Sequence, residues 1–132
     1  MYTVLLIGIG GFIGAILRYT IGGWVQNSFV NFPLGTLTVN VIGSFFLGLI
    51  MYLSEYQGIF GEETRIFLTI GILGAFTTLS TFSYESFRLL ENSNLMLLTI
   101  NIVATVLLSM LAVYLGKTAA LSFVTGLWRG FK

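Results

Sequence analysis

Four long apolar stretches separated by short polar turns leave this sequence few ways to fold. They run over about residues 2–25, 34–53, 66–87 and 95–115. A helix needs about 20 mostly apolar residues to cross the hydrocarbon core of a bilayer, and each stretch reaches that length. The intervening segments carry turn formers: Asn27, Ser28, Asn31 and Pro33, then Gly58 and Gly61, then Asn92, Ser93 and Asn94. Charged residues are 8% of the chain, against roughly 25% in soluble domains, too few to solvate a globule of this size. The expectation is an all-α integral membrane protein, one domain over 1–132 with four transmembrane helices, in the cell membrane and multi-pass.

The first stretch lacks a basic leader region, since Arg18 comes late, and it reads as a retained helix. An even number of spans puts both termini on one side. That side holds Arg65, Lys117, Arg129 and Lys132, and the other Arg88, with Arg18 if it snorkels there. This positive-inside bias is weak, and it is compatible with insertion in both orientations. The tail 117–132 reads either as an interfacial segment, with Phe123, Trp128 and Phe131 beside Arg129 and Lys132, or as the end of the fourth helix.

Composition also narrows the chemistry. There is no cysteine and no histidine, which removes thiol, imidazole and Cys/His metal chemistry. The acidic residues are Glu55, Glu62, Glu63, Glu85 and Glu91, and the net charge of +1 is no footprint for nucleic acid. The chain does not read as an enzyme.

The informative residues are polar ones inside the spans. Arg18 lies deep in the first span and either faces a cavity or partner or snorkels to the headgroups. Asn40 sits in the middle of the second, as a pathway residue or as interhelical glue. Gly10 and Gly14 form a small-xxx-small pattern for close helix approach. In the fourth span Asn101, Thr105 and Ser109 recur at four-residue spacing, so they share one face and form a polar stripe. The third span contains GILGAFTTLSTF (71–82), with Gly71 and Gly74 leading into Thr77, Thr78, Ser80 and Thr81. Hydroxyls compete for backbone hydrogen bonds, and non-helical backbone at membrane depth survives only against protein or a watery cavity. The stretch therefore reads as a helix broken near the midplane, whose freed carbonyls can hold a cation, or as a kinked packing helix.

Three blocks, GGFIGAILRY (10–19), PLGTLTVNVIGSFFLG (33–48) and GILGAFTTLSTFSYE (71–85), make the chain similar to the Fluc (CrcB) fluoride channels over about residues 2–116. The resemblance implies passive export of cytoplasmic fluoride, lowering its toxicity, through an antiparallel dual-topology homodimer in the lipid bilayer. It also implies a structural sodium ion held by the backbone carbonyls of Gly74 and Thr77. On the family pattern Asn40, Ser80, Thr81, Phe82, Thr36, Leu79 and the face bearing Asn101, Thr105 and Ser109 would line the fluoride pathway. Arg18 would stand at the vestibule and Glu85 near the pore. Two positions depart from the pattern: Leu79 stands in TTLSTF where the family has phenylalanine, and Asn101 where an aromatic residue is expected. Fluoride is small and strongly hydrated, so its pathway needs dense donors, which amides, hydroxyls and aromatic ring edges supply. Two rival readings are a small proton-coupled multidrug transporter, which would need an ionisable group at mid-membrane, and a non-transporting membrane subunit.

Overall fold

The computed structural model describes the backbone of residues 1–29 and 31–130, with the side chains of 56–57 and 127–130 outside the description. Every regular element in it is helical. α1 spans Tyr2–Gln26 and α2 spans Leu34–Gln57. The third crossing is composite: α3 Glu62–Ile66, a π-helical segment Phe67–Leu73, α4 Gly74–Phe76 and α5 Leu79–Glu91. α6 runs unbroken over Leu95–Gly130. Among the described residues four helical stretches are long and apolar enough to cross a membrane, as the hydropathy predicts.

The helices outrun the apolar stretches that announce them. α2 continues past Leu53 to Gln57. α6 has 36 residues, which at 1.5 Å per residue is about 54 Å against a core of about 30 Å. Residues 117–130 therefore continue the fourth helix, while Phe131 and Lys132 lie outside the described residues. Hydropathy reports the length in hydrocarbon; packing decides where the helix ends. Ala120 is buried beyond the apolar stretch, and the Lys117 ammonium lies 5.0 Å from the centre of the Tyr52 ring, tying α6 to the end of α2.

Close backbone contact holds the bundle. α2 and α6 make its most extensive pairing. They cross at glycines: a Cβ on Gly116 would lie 2.7 Å from the Leu49 nitrogen, and one on Gly48 would lie 3.0 Å from the Val113 Cα. α1 grips the third crossing in the same way, since a Cβ on Gly10 would lie 2.9 Å from the Gly71 Cα. Gly71, inside the π-helical segment, thus lets the two backbones touch. The apolar core is small, Val39, Leu73 and Phe76 with Ile21, Ile42 and Ile50 around it. Large apolar side chains such as Phe12, Trp24, Leu107 and Met110 face outward, which is inside-out for water and right for lipid.

Candidate functional site

The break in the third crossing falls at Thr77 and Thr78, just beyond the glycines. Gly74 keeps helical angles, whereas Thr77 (φ −82°, ψ 158°) and Thr78 (φ −152°, ψ 119°) are extended. The hydroxyls and an amide produce it. The Thr77 hydroxyl and backbone N–H both donate to the Leu73 carbonyl at 3.0 Å. The Thr78 N–H, which would bond the Gly74 carbonyl in a continuous helix, donates to Asn40 Oδ1 at 2.8 Å, and Asn40 Nδ2 donates back to the Thr78 carbonyl at 3.0 Å. The Thr81 N–H, due to the Thr77 carbonyl, instead donates to Thr78 Oγ1 at 3.2 Å, so Thr78 is the N-cap of α5. The carbonyls of Gly74 and Thr77 are among those that the break deprives of their helical partners.

Two cavities flank the break. One, of about 470 Å³, is lined by Asn40, Gly74, Thr77, Leu79, Phe82, Thr105 and Ser109. The other, of about 370 Å³, is lined by Arg18, Gln26, Thr36, Thr81 and Glu85. Thr78 lines both. Among the described residues no ionisable side chain lines the first cavity, and its polar groups are amide and hydroxyl. Asn40 Nδ2 has a second hydrogen beyond its bond to Thr78. Thr105 Oγ1 is buried with no partner among the described residues, so its own helix does not satisfy it.

The second cavity is charged. Arg18 is half-buried on its wall. Across it, Glu85 accepts a 2.8 Å hydrogen bond from the Thr36 hydroxyl, and its other oxygen is buried without a partner among the described residues. Gln26 ties the preceding loop to α2: its Oε1 accepts from the Gly35 N–H at 3.0 Å, and its Nε2 donates to the carbonyls of Phe29 and Phe32.

Two of the expected pathway residues line neither cavity. Ser80 lies 3.2 Å from the Thr78 hydroxyl and faces outward. Asn101 is 1% exposed and donates through Nδ2 to the Ser86 hydroxyl at 3.0 Å. The stripe on the fourth helix is real as a face but divided in use, because α5 crosses over its Asn101 end. Thr78 and Ser86 are structural surprises. Threonine is a favoured N-cap residue, which could have marked Thr78 at the start of α5; nothing local marks Ser86.

A four-helix, multi-pass membrane protein with a broken helix between a neutral donor-lined cavity and a charged one belongs to the class that handles ions inside the bilayer. The family described as CrcB-like protein, Camphor Resistance (CrcB), matches residues 5–117. The chain is 78% identical to "Fluoride-specific ion channel FluC 1" of Methanosarcina acetivorans and 75% identical to "Fluoride-specific ion channel FluC 3" of Methanosarcina barkeri, each over the full length of both proteins. It is 48% identical to "Fluoride-specific ion channel FluC" of Geobacter metallireducens, over 91% of this chain and 98% of that one. The chain belongs to the CrcB family of fluoride channels.

Proposed function

We propose that this chain forms a passive, fluoride-selective channel that lets cytoplasmic fluoride out of the cell. The observation that carries the reading is the neutral cavity at the helix break, lined by the donors of Asn40, Thr105 and Ser109 and by the Phe82 ring. A small anion leaving water needs donors close around it, and carboxylates there would repel it. The fluoride-channel names of the relatives point the same way.

Within this reading Asn40, Phe82, Leu79, Thr105 and Ser109 line the inner pathway. Thr36 and Thr81 extend it past Thr78, Ser80 contributes through its contact with the Thr78 hydroxyl, Arg18 draws the anion into the vestibule, and Glu85 stands beside it. The Gly74 and Thr77 carbonyls hold a structural sodium ion, oxygen-only ligands suited to a hard cation. The support is that both have lost their helical partners and that Gly74 lies on the outer surface of the subunit. That placement suits a site shared with a second copy, as does the exposed run Ser80, Thr81 and Ser83, which lipid would leave poorly satisfied. The copy packs antiparallel.

Purified protein in liposomes loaded with fluoride or chloride tests the reading. Fluoride efflux at least a hundredfold faster than chloride efflux is expected. Equal rates would refute it.

A further inference from the structure

We propose that Ser86 and Asn101 are a positioning pair that sets the rotation of α5 and so keeps Phe82 in the inner cavity; the proposal rests on the channel reading above. α5 carries Phe82 into one cavity and Thr81 and Glu85 into the other. Within the subunit little apolar packing holds it. Leu79, Tyr84, Phe87 and Leu90 are 76%, 65%, 58% and 48% exposed, and Ser86 is the one buried residue in the helix. Its connection to α4 is the extended pair Thr77–Thr78, so helical hydrogen bonds do not carry α4's rotational setting across the break.

Polar contacts set it instead. At the start of α5, Asn40 clamps the Thr78 backbone. Further along, α2 holds Glu85 through Thr36 at 2.8 Å, and α6 holds Ser86 through Asn101 at 3.0 Å. Glu85 and Ser86 are neighbours held from two different helices, so the two bonds together define an angle about the α5 axis. Residues 82, 85 and 86 stand at i, i+3 and i+4 and share a face, so that angle is also the angle of the Phe82 ring. Asn101 lines neither cavity, and Ser86 is 8% exposed; the pair acts on the anion only through α5. A merely adhesive hydrogen bond would affect assembly and leave ion preference alone.

The test compares fluoride and chloride efflux from liposomes for the parent, Ser86→Ala, Asn101→Leu, their combination and Ser86→Thr. Each of the first two variants is expected to slow fluoride at least fivefold and to narrow the fluoride-to-chloride ratio. Their combination should be no slower than the slower single variant, because both remove one bond. Ser86→Thr keeps the hydroxyl and should return to within twofold of the parent. Parental rate and ion ratio in Ser86→Ala, or a multiplicative loss in the combination, would overturn the proposal. A second readout does not depend on transport or on which ion is carried. The chain has no cysteine, so a nitroxide on Leu90→Cys reports α5 alone. Its mobile fraction should at least double on Ser86→Ala and not on Ser86→Thr; an unchanged spectrum overturns the pair even if flux falls. If the parent carries no fluoride, the channel reading fails and the nitroxide still decides whether Ser86 and Asn101 set α5.

Discussion

Replacing Asn40 by aspartate changes almost no volume and reverses one hydrogen-bonding group, so it isolates what the amide does. Asn40 accepts from the Thr78 N–H at 2.8 Å and donates to the Thr78 carbonyl at 3.0 Å. Ionised aspartate keeps the first bond and turns the second into an oxygen facing an oxygen at that separation. A buried acceptor left without its donor costs about 1–3 kcal/mol, more when a charged group is involved. Taking about 3 kcal/mol, and about 1.4 kcal/mol per decade, the break is held roughly a hundredfold less well. The new charge also opposes an anion in the cavity that Asn40 lines. At about 4 Å and an effective dielectric of about 20, that repulsion is about 4 kcal/mol, close to three decades of occupancy. Asn40→Asp is therefore expected to lower fluoride efflux by at least a thousandfold in liposomes, read with a fluoride electrode. The folded subunit should persist in detergent, eluting as the parent does by gel filtration, because the glycine contacts of α2 with α6 are remote from the change. Efflux within tenfold of the parent would refute both the role of the clamp and the place of Asn40 on the pathway.

Phe82 is the aromatic residue on the inner cavity, with Leu79 beside it. Leu79→Phe should hold or raise fluoride throughput, whereas Phe82→Leu, which removes that ring, should lower efflux by more than the roughly fivefold that about 1 kcal/mol of one ring contact represents; equal efflux from Phe82→Leu and parent would discount aromatic edges. Gly116→Ala drives a methyl to 2.7 Å from the Leu49 nitrogen; it should cost about 1–3 kcal/mol of bundle stability and lower the thermal midpoint in detergent. A cysteine placed at Ile59, exposed in the turn between α2 and α3, should label from both faces of the membrane if subunits insert in both orientations, and one-sided labelling would contradict the antiparallel arrangement.

What the sequence by itself determined was the solvent and the crossing number. Four apolar stretches with 8% charged residues can only be stable in lipid, and that conclusion needs no knowledge of which residues touch. The hydroxyl cluster at 77–81 also announced a break, since threonine and serine compete locally for backbone donors and acceptors. Local chemistry could not place it to the residue: the leading glycines stay helical, Gly71 pressed against α1 within the π-helical segment and Gly74 at regular angles. The position of the break depends on Asn40, 38 residues earlier in the chain, and only the packing of α2 against the third crossing brings it there. The same holds for the polar stripe of the fourth helix. Periodicity put Asn101, Thr105 and Ser109 on one face, but whether each meets a cavity or another helix was decided by where α5 crosses it. Thr105 and Ser109 face the inner cavity, and Asn101 is sealed against Ser86. A hydrogen bond between residues distant in sequence is a property of two helices at once, so a single strand of letters carries its ends and not its existence.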